Sequence, residues 1–240
     1  MADNNQPLFF KTPVPLQIDK HADAGLSRKI NFSFTKPTNS VPINVQEFGL
    51  VAKTYPIVFT GDDLSAPVAI LGLENSQNVF VDSKGEWEKG AYIPAYVRRY
   101  PFAFTGNEEQ LILCVDESSD RFKAKAGKDD DKFFDGKEQT EFTQAALQYC
   151  TEYQRDQAFS LAFAKALSEK GLLIERQITA NLEGRDKPVV LGGFKVIDEE
   201  KVNNLDDKTV QEWYKNGFLA LLSFQLLSMS NWQNVLMRMA

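Results

Sequence analysis

The first half of the chain alternates apolar and polar positions in short runs, the two-residue period of strands with one buried face. This pattern predicts strands over residues 30–34, 41–45, 55–59, 68–73, 79–82, 102–104 and 111–115. Turn formers separate them: Lys36 to Ser40, Gly61-Asp62-Asp63, Ser83-Lys84-Gly85 and Gly106-Asn107. Short strands joined by short turns suggest an antiparallel meander. Residues 47–52 fit a helical turn or a strand. Pro94 suits a first helical position and Pro101 a stop, which frames a two-turn helix over 95–100. Ahead of the strands, residues 7–18 are apolar and punctuated by proline. They predict an extended arm that lies on its own body, or on a partner chain, through Leu8, Phe9 and Phe10.

The period changes after residue 137. Thr140 can cap a long helix that Gly171 ends. Phe142, Ala146, Tyr149 and Tyr153 fall on one face, and Ala158, Leu161, Ala162 and Ala166 continue the stripe after a slip near Arg155-Asp156. Residues 172–182 and 189–197 read as paired strands, with Gly192-Gly193 as a bulge. Asp206 can cap a helix over 207–216 that Gly217 closes, and 218–227 is apolar on nearly every face. Ser230 and Gln233 have capping-box spacing for a last helix through Met239. These helices cover the sheet, or they present Leu226, Met229, Trp232 and Leu236 as a docking face. The lysine- and aspartate-rich stretch 121–137 reads as a mobile surface loop. The expected class is α+β: a β-rich N-terminal half, an antiparallel meander, packed with a helix-rich C-terminal half. The chain reads as a single domain over 1–240, divisible into 1–120 and 138–240 about the acidic loop 121–137.

Composition narrows the function. The formal net charge of −6 opposes binding to nucleic acid or anionic membranes, and the one adjacent arginine pair is Arg98-Arg99. The apolar run 218–227 falls short of the roughly 20 residues a membrane span requires, so no membrane insertion is expected. The polar start MADNNQPLFF lacks the pattern of a secretory signal, which predicts a cytoplasmic protein. Cys114 and Cys150 sit in apolar surroundings and read as buried thiols, with their pairing left open. The lone histidine, His21, lies in a polar stretch and receives no role. No His/Cys spacing suggests zinc, and Asp129-Asp130-Asp131 lacks the register of an EF-hand. No nucleophile elbow or dinucleotide fingerprint is present, so no cofactor is expected. The acid pairs Asp62-Asp63 and Asp116-Glu117 read as solvated turn residues.

The densest chemistry is the stretch GAYIPAYVRRYPF, residues 90–102. Arginine offers a planar fork to carboxylate or phosphate, and tyrosine offers a flat face with a polar tip. Tyr92, Tyr96, Arg98, Arg99 and Tyr100 are the expected binding residues, with Asp62 and Asp63 as internal counter-ions. An extended segment puts Tyr96, Arg98 and Tyr100 on one face; a helix puts Tyr96 near Arg99 and Tyr100. The competing reading is structural, with arginines paired to those aspartates and tyrosines filling the sheet edge.

Several blocks carry a family likeness: YPIVFTGDD (55–63), VAILGLENSQNVFVDSKGEWEKGAYIPAYVRRYPF (68–102), LCVDESS (113–119) and LGGFKVIDEEKVNNLDD (191–207). Together with PLFFKTPVP and LLSMSNWQNVL, they resemble the bacterial SapC family. The resemblance implies association with a surface layer and a Gram-negative source, and it brings no catalytic residue to transfer. Gene neighbourhoods of outer-membrane receptors and flavin-dependent tryptophan halogenase-like proteins further imply a partner role in nutrient or peptide handling. The leading expectation is therefore a non-catalytic protein that binds a partner protein, a peptide or a small anionic ligand. The alternatives are an enzyme that uses a cofactor or 2-oxoglutarate, and a surface-layer component that assembles as a homo-oligomer.

Overall fold

The structure is a computed structural model that describes residues 7–61, 66–107 and 110–239. It is α+β, with antiparallel sheets dominating the N-terminal half and helices the C-terminal half. The chain folds as two compact units, each drawn from both halves: Met1–Asn31 with Val97–Gln154, and Phe32–Tyr96 with Arg155–Ala240. The helix Glu141–Glu169 contributes to both.

In the first unit, the hairpin Phe102–Asn107 and Gln110–Asp116 accepts the arm segment Pro13–Pro15 as a third strand, with Val14 opposite Val115. The arm thus lies on its own unit. Its entry is held by Asp116, which is fully buried. The Asp116 carboxylate accepts from the Lys11 and Thr12 N–H groups at 2.8 and 3.0 Å. It also accepts from the Ser118 N–H at 3.0 Å and the Ser118 hydroxyl at 2.7 Å. The turn reading of Asp116 accounts for Ser118 but misses the arm, because Lys11 and Thr12 lie about a hundred residues away in the chain.

Residues 121–137 are not a bare loop. Phe122–Lys123 and Asp130–Lys132 flank Gly25–Ser27 in a second sheet, and Phe134–Asp135 pairs with Glu138–Gln139. Phe133 is fully buried and joins Leu26, Phe102, Val115 and Cys150 in the core. Polar composition hides this, because two buried phenylalanines anchor an otherwise charged stretch. Gly25 makes the second sheet possible: a Cβ there would sit 2.4 Å from the Asp131 carbonyl oxygen.

The long helix also departs from the expected pattern. Its buried positions are Thr143, Cys150, Tyr153, Ser160, Phe163, Ala164 and Leu167, one continuous stripe without a slip. Ala158, Leu161 and Ala162 are exposed. The stripe passes through a serine: the Ser160 hydroxyl accepts from the Val45 N–H at 2.9 Å and donates to the Asp156 carbonyl at 2.7 Å. A search for apolar positions skips this polar tooth and shifts the face. The ends follow expectation, with Thr140 Oγ1 accepting from the Thr143 N–H at 3.3 Å and Gly171 left-handed at φ 62°.

The second unit holds a five-stranded antiparallel sheet. Its order is Leu173–Ala180, Val189–Ile197, Ile57–Thr60, Ala66–Ile70, Ser40–Pro42. The register shifts between Arg176 and Ile178, opposite Gly192-Gly193, where Gly193 has φ 75°, so the two glycines form the expected bulge. Other expectations fail here. Residues 30–34 do not form a strand; a 3-10 turn spans Ser33–Thr35. It is stabilised by the Thr35 hydroxyl donating to the Phe32 carbonyl at 2.8 Å. Residues 79–82 make one isolated bridge, Val81 to Trp87. The ambiguous stretch after Glu47 is helical over Phe48–Val51.

The C-terminal helices are Asp207–Asn216, Phe218–Ser228 and Trp232–Met239. Asp206 and Gly217 bound the first as expected: Asp206 accepts from the Thr209 N–H at 2.9 Å, and Gly217 is left-handed at φ 84°. Ser230 is not at the start of the last helix: it lies inside the 3-10 turn Met229–Asn231, where its hydroxyl donates to the Leu227 carbonyl. Met229 and Trp232 pack on the sheet cluster of Val58, Val68, Ile70, Phe194 and Val196. The most exposed large apolar or aromatic side chains on these helices are instead Tyr214, Met237 and Leu227. Polar residues on the apolar helix close the backbone of the sheet. The Ile57 N–H donates to the Ser228 hydroxyl at 3.0 Å, and Gln225 Nε2 donates to the Ile57 carbonyl at 2.9 Å. Among the described residues, no helix is long and apolar enough to cross a membrane.

Candidate functional site

The segment from Gly90 to Phe102 is held by groups from elsewhere in the chain. Its helix, Ala95–Arg99, follows Pro94. The N-terminus of this helix rests on Glu47, a carboxylate only 5% exposed. Glu47 accepts from the Ala95 N–H and the Asn44 N–H, both at 2.8 Å. Just upstream, the Tyr55 hydroxyl donates to the Tyr92 carbonyl at 2.6 Å and accepts from Trp87 Nε1 at 3.1 Å. Burial raises the Tyr55 phenol well above its ordinary value, so it stays a neutral donor.

The five residues expected along the segment are not equivalent. Tyr96 and Tyr100 are buried, at 5% and 8% exposure, and Tyr92 is half-buried. Tyr100 packs edge-on against Phe10 at 5.2 Å and Phe9 at 6.4 Å. Its phenol is pushed up by burial, while hydrogen bonds with Ser119 and Ser118 act in the opposite sense. Asp62 and Asp63 lie outside the described residues.

Arg98 and Arg99 each meet a tyrosine of the long helix. The Arg98 guanidinium carbon lies 5.4 Å from the centre of the Tyr149 ring, and Arg98 is exposed. Arg99 is half-buried, with its guanidinium carbon 4.5 Å from the Tyr153 ring centre and 5.7 Å from that of Phe10. Tyr149 and Tyr153 stand one helical turn apart, so consecutive arginines fall on successive rings. Such cation–π contacts contribute roughly 0.5–2 kcal/mol, more where water is excluded. The sequence signal for these partners is the i, i+4 tyrosine pair, which reads equally as core stripe.

Several other titratable groups are engaged within the chain. His21 is buried: its Nε2 lies 3.1 Å from Glu117 Oε1, and its Nδ1 lies 3.1 Å from the Gln17 nitrogen. Lys20 shares the same Glu117 oxygen at 2.6 Å. Asp131 takes Arg28, and Asp130 accepts from the Gly127 N–H. Cys114 and Cys150 are free and buried. Burial raises both thiols, that of Cys150 to about 11 against the opposing charge of Arg99. Among the described residues, no three His, Cys, Asp or Glu side chains gather as a metal centre requires.

The SapC family model matches residues 16–235. The chain belongs to the SapC family. No curated protein and no solved structure matches it. In this SapC chain, the family match takes in both arginines and both tyrosines of the cluster, while Phe10 lies ahead of it. The SapC match likewise contains Glu47 and Tyr55, which hold the segment in place.

Proposed function

We propose that this SapC protein works by binding, and that Arg98 and Arg99 receive a carboxylate or phosphate carried by a partner protein, a peptide or a small ligand. The observation that supports this most is the placement of two consecutive guanidinium groups on two rings of one helix, with Arg98 open to solvent. A guanidinium lying over a ring keeps its N–H donors in its own plane, where an anion can meet them. The ring also removes much of the side chain's freedom in advance, which lowers the entropy lost on binding. Tyr96 and Tyr100 serve as support, because both are buried.

The test is a titration of the purified chain with an oligoglutamate peptide and, separately, with inorganic phosphate, followed through the aromatic NMR signals of Tyr149 and Tyr153. Binding that shifts both rings, and that weakens at least about fivefold in Arg98→Ala, a loss of about 1 kcal/mol, supports the reading. Equal affinity for wild type and Arg98→Ala would remove the site.

A further inference from the structure

A different surface carries a second recognition element. The strand Leu173–Ala180 is the outermost of the five-stranded sheet, and among the described residues no strand lies beyond it. The Asp198 N–H donates to the Leu172 carbonyl at 2.9 Å, so this pair faces inward. Hydrogen-bonded pairs alternate along an antiparallel ladder. Ile174 and Arg176 therefore bond to Val196 and Phe194, while the N–H and C=O groups of Leu173 and Glu175 point out from the edge. Glu175, Arg176, Gln177 and Thr179 are exposed, and the strand contains no proline. The opposite edge is different: Ser40–Pro42 is three residues long, holds a proline and buries Val41 completely. Natural sheets blunt their edges in that way. The Leu173–Ala180 edge is long and free of proline, and what blunts it is its charge and the register shift after Arg176.

That charge also selects the partner. A two-fold-related copy keeps each sheet face on its own side, so the registers overlapping most of the strand centre on Glu175, Arg176 or Gln177. The first sets Glu175 against Glu175 of the copy, and the second sets Arg176 against Arg176. Like charges directly opposite are destabilising. The third is centred on the register shift between Arg176 and Ile178. We infer that this edge accepts an antiparallel strand of a different protein, one with an acid opposite Arg176 and a base opposite Glu175. Main-chain bonds to Leu173 and Glu175 supply the attachment, and the two charges set the register.

The probe is a synthetic eight-residue peptide of alternating valine and threonine with a central Glu-Lys pair, which sets Glu against Arg176 and Lys against Glu175. Amide exchange is read by NMR. The expected result is that the Leu173 and Glu175 amides exchange at least about tenfold more slowly with peptide bound. A control peptide with the pair reversed, Lys-Glu, binds at least about fivefold more weakly. Glu175→Pro, which removes an outward donor and leaves the inward ladder intact, abolishes binding. The double variant Glu175→Lys with Arg176→Glu, two exposed substitutions that leave the ladder in place, inverts the preference between the peptides. Unchanged exchange at Leu173 and Glu175, or no preference between the two peptides in wild type, overturns the proposal. So does a wild-type dimer in sedimentation that Glu175→Pro dissociates, because a second copy would then own the edge.

Discussion

Asp116→Ala tests how the N-terminal arm is held. The substitution removes the acceptor for four donors: the Lys11, Thr12 and Ser118 N–H groups and the Ser118 hydroxyl. A hydrogen bond to a charged group contributes about 1.5–3 kcal/mol. Four would sum to well above 6 kcal/mol, but such terms are not additive within one network. Lys11 and Thr12 are also exposed residues whose N–H groups can turn to water. A loss of about 3 kcal/mol is therefore expected for Ala, and about half of that for Asn, which keeps one acceptor. For a chain of this size, 3 kcal/mol corresponds to a fall in Tm of roughly 6–12 °C.

The acid limb gives an independent check. Burial acts to raise the Asp116 carboxyl, but the Ser118, Lys11 and Thr12 donors outweigh it and hold it below the ordinary aspartate value. The unfolded chain then binds the proton more tightly than the folded one. The contribution is complete above about pH 4 and is lost as pH falls toward the lower folded-state value. Wild type should lose stability over that window, and Asp116→Ala should lose less. Thermal melts across pH and amide exchange at Lys11 and Thr12 are the assays. An Asp116→Ala chain that melts within 2 °C of wild type (at most ~1 kcal/mol) with a protected arm would refute the anchoring argument.

Further outcomes follow from other contacts. In the folded protein, Cys114 and Cys150 should resist a thiol reagent at pH 8 and react fully in denaturant, since both are buried and Cys150 titrates near 11; rapid labelling of native protein would contradict this. Gly25→Ala should cost about 3 kcal/mol or abolish soluble expression, because its Cβ would meet the Asp131 carbonyl oxygen at 2.4 Å; a melt unchanged from wild type would rule out that close approach. The Thr209 hydroxyl and N–H hold Asp206 at about 2. Its cap therefore acts fully above the ordinary aspartate value of about 3.9 and fails as pH falls through about 2. Far-ultraviolet circular dichroism should show an acid step in helix content that Asp206→Ala lacks.

Features set by neighbouring residues can be read directly from the chain. The helix between Asp206 and Gly217, the ends of the long helix at Thr140 and Gly171, and the Gly192-Gly193 bulge all rest on local backbone chemistry. So does the short helix after Pro94, whose arginines are legible as the chemically distinctive pair. Tertiary structure decides whatever depends on a distant partner. His21 needs Glu117, Asp116 needs the arm, and Asn231 donates to the Ala52 carbonyl at 2.7 Å across 179 positions. Apolar periodicity misplaces the stripe of the long helix because Ser160 is buried by its bond to Val45, which no pattern of apolar residues reveals. The same holds for the candidate site: tyrosine type and spacing are visible in advance, but the fold determines that Tyr96 and Tyr100 are buried while Tyr149 and Tyr153 lie beneath the two guanidinium groups. Local propensities depend on a few adjacent dihedrals, whereas burial and pairing depend on which far segments condense together, and that choice becomes definite only in the packed chain.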